Sequence, residues 1–512
     1  MHPPPPETLA EEVSLDPGDW GEFRRLGHRM VEDMADWLES VDRRPAWTPM
    51  PPSVPDRLDE PLPREPQGLE RAYADFRELV LPYSMGNIHP RFWGWVIGTG
   101  TPQGMLAEML AAGMNTHVSF GSQAAVHVEL RVVDWLAEML GYPHPCAGLL
   151  VSGCTMATIT GLCVARNERS GADVRAAGLP AVPRLTFYGS QETHSSVTRA
   201  LEVLGLGRDA FRPIPADGDY RVLVPALEER IREDRAAGLR PVCVIGNAGT
   251  TNTGSFDDLA ALAEVCRREG LWFHVDGAFG AMAALVPGLR RLTAGLDRAD
   301  SLAFDLHKWM HIPYEAGVVL LKDREALTRN FPLGGAYLKP VPSGVATGPV
   351  NFMAMGIQQS RGFRALKVWM MLKEHGVARI ARCVERNVEQ ARALAERIRK
   401  EPRLHLAAPV ALNVVCFRYE VPGRSPEDLD ELNRRLLVSI QENGVAVPSH
   451  TVLEGRFVLR VAISNHRTRQ EDLSAFVDEI LARGRVFEAT FRAGSEGPSP
   501  SPGNAPTRGA TP

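Results

Sequence analysis

The stretch that decides the fold is LWFHVDGAFGAMAALVPGLRRLTAGLDRADSLAFDLHKWM, residues 271–310. Two short apolar runs, Leu271–Asp276 and Ser301–Phe304, end in polar residues. The first gives way to Asp276, Gly277, Ala278 and Gly280, the second to Asp305, His307 and Lys308. Runs that are apolar throughout suit strands covered on both faces, as in parallel sheets. Working outward, similar runs occur at Gly148–Ser152, Arg184–Tyr188, Pro241–Gly246 and Gly317–Leu321. Segments of helical period lie between many of them, at Ala124–Leu140, Met156–Asn167, Asp257–Arg268 and Arg364–Lys373. The alternation predicts an α/β fold with a mostly parallel central sheet and helices on both faces. After a helix reaching toward Arg399, the pattern becomes strand (Leu412–Tyr419), helix (Pro426–Glu442), strand (Arg456–Ile463) and helix (Thr468–Leu481), which predicts a small α+β domain.

Upstream, Phe23, Leu26, Met30, Met34, Trp37 and Leu38 recur at helical spacing and predict an amphipathic helix over Trp20–Val41. The Pro-rich run Pro45–Pro66 reads as an extended arm without a core of its own. The expected organisation is a disordered start (1–16), an N-terminal helical and extended arm (17–95), a large domain (96–380), a small C-terminal domain (381–490) and a disordered tail (491–512).

The chain has 512 residues, of which 44% are hydrophobic and 23% charged, which excludes disordered, collagen-like and disulfide-stapled classes. A net charge of −5 gives no support to nucleic-acid or membrane-surface binding. The seven cysteines are scattered, with no CxxC pair, and read as reduced thiols and not as a metal site. The first residues lack the apolar core of a secretory signal, and no run approaches membrane-spanning length, so a soluble cytoplasmic protein is expected.

Ligands in open α/β sheets sit at the carboxyl ends of strands. There, Ser152-Gly153-Cys154-Thr155 leads from a strand into a helix, and a helix start with small residues suits a phosphate. Asp276 ends an apolar strand, where a carboxylate needs a partner. Lys308 lies between an apolar strand and Trp309-Met310, so desolvation is expected to lower its pKa and free its amine. Singly, these residues also read as a helix cap, an ion-pair acid and a surface lysine. Together they are the three anchors that pyridoxal phosphate requires: an amine to bind it, an acid for its ring nitrogen and a helix start for its phosphate.

The chain resembles the group II pyridoxal-phosphate-dependent amino-acid decarboxylases, the family of aromatic-L-amino-acid and glutamate decarboxylases, from about 18 to 485. The segments that carry the likeness are EFRRLGHRMVEDMADWL, NIHPRFWGW, VELRVVDWLAEMLG, SGCTMAT, ETHSSVTRA, GNAGTTNTGSFDDL, HVDGAFG, DLHKWM, SRGFRALKVWM and LRVAISN. The resemblance implies a fold-type-I (aspartate aminotransferase-like) enzyme that is a homodimer and converts an L-amino acid to its amine and CO₂. In that reading Lys308 carries the cofactor, beside His307, Asp276 pairs with the ring nitrogen and Ala278 packs on the ring. His194 stacks on the other face, while Cys154, Thr155 and Asp305 lie at the phosphate and Thr251 nearby. Tyr337 is the mobile-loop proton donor, Trp93 and Trp95 line an aromatic pocket, and Arg460 reads the substrate carboxylate in glutamate-type members. Thr251 has a plainer reading as a turn hydroxyl, Tyr337 as a loop aromatic and Arg460 as a strand-edge ion-pair residue.

An aromatic substrate is favoured by the two tryptophans. An acidic or diamino acid, an aldehyde-forming route and a non-catalytic protein of this fold are the alternatives. Three departures from the family pattern stand out. Cys154 replaces Gly or Ala, Asp305 replaces an asparagine and leaves a carboxylate without an evident partner, and 89-HPRFWGW-95 keeps the aromatic character but not the residue order.

Overall fold

The computed structural model describes residues 13–334 and 342–495. They form two compact units, one up to Arg44 together with Pro49–Ser84, the other Pro45–Thr48 together with the chain from Met85 onward. In the first unit the predicted helix runs over Trp20–Glu39, capped by Asp19, whose carboxylate accepts the amides of Gly21 and Glu22 at 2.6 and 3.2 Å. The Pro-rich run is not wholly extended. It contains a short helix, Ser53–Leu58, with Val54 buried.

The second unit holds twelve strands among the described residues. They are β1 (Phe92–Trp93), β2 (Ala147–Val151), β3 (Leu185–Ser190), β4 (Phe211–Ile214), β5 (Arg240–Asn247), β6 (Trp272–Asp276), β7 (Ser301–Asp305), β8 (Gly317–Leu321), β9 (Leu404–Leu406), β10 (Val414–Tyr419), β11 (Val447–Leu453) and β12 (Arg456–Ala462). A seven-stranded sheet has the order β2-β8-β7-β6-β5-β3-β4. Only β8 runs against the others, pairing antiparallel with both β2 and β7. The remaining six strands therefore deliver their carboxyl ends to one edge of the sheet. β2, β3, β6, β7 and β8 are buried along their whole length, which is why they read as continuous apolar runs.

A second sheet has the order β1-β11-β12-β10-β9. It is antiparallel except for the β1–β11 pair and has its own hydrophobic core with the helices Pro426–Glu442 and Gln470–Ser495. The latter helix extends past the expected boundary at 491. The helix after the large sheet spans Arg364–Lys400 and is broken at Gly376, whose φ of 66° no helix accommodates. No helix among the described residues is long and apolar enough to cross a membrane.

One close approach fixes the edge where the strands end. A Cβ on Gly317 would lie 2.4 Å from the backbone of Gly153, so the start of β8 can pass against the turn after β2 only because residue 317 is glycine. That turn opens the helix Cys154–Arg169, which packs along β5, β6, β7 and β8.

Candidate active site

The carboxyl ends of β2, β3, β5, β6 and β7 surround a cavity of about 220 Å³. Nine of the residues singled out in the sequence line it: Cys154, Thr155, His194, Thr251, Asp276, Ala278, Asp305, His307 and Lys308. Asn247, Gly249, Thr250 and Ser196 line it as well. They lie in the segments GNAGTTNTGSFDDL and ETHSSVTRA, with Asn247 ending β5, Gly249 and Thr250 just after it, and Ser196 two residues past His194. A larger cavity of about 720 Å³, lined by residues such as Trp135, Leu285 and Trp369, contains none of these groups.

The helix start at Cys154 leaves its first backbone amides without intrahelical partners. One of them, the Cys154 N–H, donates to Asp305 Oδ1 at 2.6 Å. Asp305 Oδ2 lies 3.1 Å from Lys308 Nζ and 3.7 Å from His307 Nε2. The carboxylate that lacked an evident partner therefore bridges the helix start and the lysine.

This bridge overturns the expectation for Lys308. Burial alone lowers its pKa, but the charge of Asp305, with Asp276 beyond it, outweighs burial and moves it above its usual value. The neighbouring carboxylates thus favour the charged form of Lys308.

Asp276 ends β6, 5% exposed. Its Oδ1 accepts the Ala278 amide at 3.0 Å and lies 3.6 Å from the Cys154 sulfur. Oδ2 has no hydrogen-bond partner among the described residues, although Asp276 lines the cavity. His194 follows β3. Its Nδ1 accepts the Ser196 amide at 3.2 Å and meets the Ser196 hydroxyl at 2.8 Å, which leaves Nε2 to carry the proton of the neutral ring. Burial, the largest effect, lowers the pKa of His194, and it does the same for His307. The His307 Nδ1 accepts the Ala316 amide, and the ring lies 4.4 Å from that of Tyr314.

The donor set fits pyridoxal phosphate: an amine at Lys308, a carboxylate oxygen of Asp276 without a protein partner, a neutral imidazole at His194 and a helix start for the phosphate.

Three predicted residues are not brought to the cavity wall. Trp93 has no exposed surface. Its indole N–H donates to Thr468 Oγ1 at 3.0 Å and its ring packs on Phe476, so it belongs to the core of the second sheet. Trp95 is 49% exposed and has a φ of 51°. Its amide is bonded to Ser449 Oγ. Arg460 is buried and donates to the carbonyls of Thr251, Asn252 and Trp95 and to Ser449 Oγ. Its guanidinium is committed to holding loops together and does not face the cavity as a free carboxylate reader. Tyr337 lies outside the described residues.

A model of the pyridoxal-dependent decarboxylase conserved domain matches residues 51–420. The aromatic-L-amino-acid decarboxylase of Bacillus atrophaeus is 34% identical over 475 residues, 92% of this chain and 97% of that protein. A phenylacetaldehyde synthase of Arabidopsis thaliana is 29% identical over 89% of this chain and 94% of its own length. The crystal structure of Oryza sativa TDC with PLP and tryptamine superposes with a TM-score of 0.85 at 27% identity, covering 92% of this chain and 99% of that one.

Proposed function

The chain belongs to the pyridoxal-dependent decarboxylase family, and on that premise we propose that it decarboxylates an aromatic L-amino acid to the corresponding amine. The observation that carries the reading is the meeting of Lys308, Asp276 and His194 around one cavity that opens on the start of the helix Cys154–Arg169. When bound, pyridoxal phosphate supplies a sink for the electron pair left on Cα as CO₂ departs. The protein provides the rest. Lys308 would hold the cofactor, and Asp305, at 3.1 Å, orients its amino group at the cavity wall. Asp276 would keep the ring nitrogen protonated through Oδ2, because its other oxygen is already engaged. His194, neutral near pH 7, offers an Nε2 proton without a second positive charge in the cavity.

Arg460 separates the substrate classes. An acidic substrate needs a cation for its second carboxylate, and Arg460 spends four of its five N–H donors on three backbone carbonyls and a hydroxyl. The names of the relatives above point the same way, to aromatic substrates. A homodimer, as the resemblance implies, is supported by the helix Pro102–Met114. It exposes Leu106, Met109, Leu110 and Met114 at helical spacing, 39–58% accessible, a row that an isolated chain leaves in water. All seven cysteines are free, which supports a reducing compartment such as the cytoplasm.

The test is kcat/KM for phenylalanine, tyrosine, tryptophan and glutamate, read as CO₂ and amine. The proposal expects at least one aromatic substrate to exceed glutamate by about a hundredfold or more, roughly 3 kcal/mol. A preference for glutamate refutes it.

A further inference from the structure

Cys154 touches both acids of the cavity. It is the first residue of its helix, its amide donates to Asp305 Oδ1 at 2.6 Å, and its sulfur lies 3.6 Å from Asp276 Oδ1. On the far side, Thr158 Oγ1 is 4.0 Å from the same sulfur, one helical turn along. The thiol thus sits between Thr158 and the carboxylate that would pair with the cofactor's ring nitrogen.

The geometry gives the thiol a task. The terminal torsion of an aspartate is soft and roughly two-fold, so the plane of its carboxylate is set by the donors around it. Asp276 Oδ1 has two, the Ala278 amide at 3.0 Å and the Cys154 thiol. With both on Oδ1, Oδ2 is the oxygen left to the cavity. The thiol is available as a donor throughout the working range. Burial, then the charges of Asp276 and Asp305, push its pKa well above the usual value, so it keeps its proton. Glycine or alanine at this position, which the family pattern favours, provides no such donor.

We propose that Cys154 is a positioning residue whose S–H, donating to Asp276 Oδ1, fixes the carboxylate so that Oδ2 is presented to the cofactor's ring nitrogen. The inference rests on the reading of Asp276 given above. It adds a donor behind that residue.

The test uses the full-length holoenzyme and its apo form, with Cys154→Ala to remove the donor and Cys154→Ser to replace it. Alanine keeps a small residue at a helix start, and thermal melts confirm that each variant folds. Three quantities are read: the Kd of the apoprotein for pyridoxal phosphate, the visible absorption of the bound cofactor across pH, and kcat and KM separately. The Ala variant is expected to bind the cofactor about three- to tenfold more weakly, as fits one modest hydrogen bond to a charged group. It should also shift the pH dependence of the cofactor's absorption and lower kcat by a similar factor with KM little changed. Serine should restore most of each. An Ala variant equal to wild type in Kd and absorption overturns the proposal, as does a Ser variant as impaired as Ala. Asp276→Asn serves as the reference. If it leaves absorption and turnover intact, the role of Asp276 falls and the proposal with it. If it damages both while Cys154→Ala changes nothing, the proposal alone falls.

Discussion

Replacing Asp276 by asparagine keeps the shape of the side chain and removes its charge at the end of β6. The structure indicates which way the amide turns. Oδ1 faces two donors, the Ala278 N–H at 3.0 Å and the Cys154 thiol at 3.6 Å, and only the asparagine carbonyl can accept from them. The amide NH₂ is then directed to the place of Oδ2, where it would meet the protonated ring nitrogen of bound pyridoxal phosphate as donor against donor. An ion pair at hydrogen-bond distance, with an effective dielectric of about 20, is worth roughly 5 kcal/mol. Part of that is repaid by solvent and by relaxation of the cavity, which leaves about 3–4 kcal/mol as the loss. Turnover should therefore fall between about a hundredfold and a thousandfold. The assay is kcat at saturating substrate and cofactor, with cofactor content measured on the same sample, so that lost occupancy is not mistaken for lost catalysis. An Asn variant, fully loaded, with kcat within about threefold of wild type would refute the reasoning, since a loss of 3 kcal/mol requires more than a hundredfold.

Glu129→Gln breaks a buried pair with Arg361, whose guanidinium also donates to the carbonyls of Val118 and Leu150. Unfolding in denaturant should show a loss of about 3–5 kcal/mol, and an unchanged midpoint would contradict the value given to this pair. Burial lowers His274 and His466 to about 4, below the ordinary histidine value of 6.5. The unfolded chain binds these protons first, so stability is complete above about pH 6.5 and is lost as pH falls toward 4, by on the order of 3 kcal/mol for each histidine. Melting temperature across that window checks the sign, and a rise on acidification would reverse it. Tyr337→Phe should lose amine and, in air, gain aldehyde, ammonia and peroxide, if the resemblance assigns its role correctly. Unchanged amine yield, measured with oxygen uptake, removes Tyr337 from the reaction.

Much of the fold was legible because the large sheet is buried on both faces. β6, β7 and β8 are uninterrupted apolar runs, and their ends in the structure agree with the sequence boundaries to about a residue. Four strands, β1, β4, β9 and β11, carry no such signal in the sequence, and β1 and β9 are only two and three residues long. β4 sits at the sheet edge and carries Pro213, which an edge tolerates, and β11 mixes apolar residues with Pro448, Ser449, His450 and Thr451. The site was legible as a set of residue types at strand ends. Its electrostatics were not, because they depend on pairs distant in sequence. The bond from the Cys154 amide to Asp305 joins β2's turn to β7, and Asp305 in turn raises the pKa of Lys308. Likewise, nothing in FWGW distinguishes the buried Trp93 from the half-exposed Trp95. That follows from β1 pairing with β11, which commits Trp93 to the second core.

The central claim is that Lys308 holds the cofactor in the cavity where Asp276 and His194 meet. Borohydride reduction of the holoenzyme followed by peptide mapping tests it directly. The pyridoxyl group is expected on the peptide containing Lys308 and on none in the Lys308→Ala protein. A label on any other lysine, or one that persists when Lys308 is replaced, would contradict it.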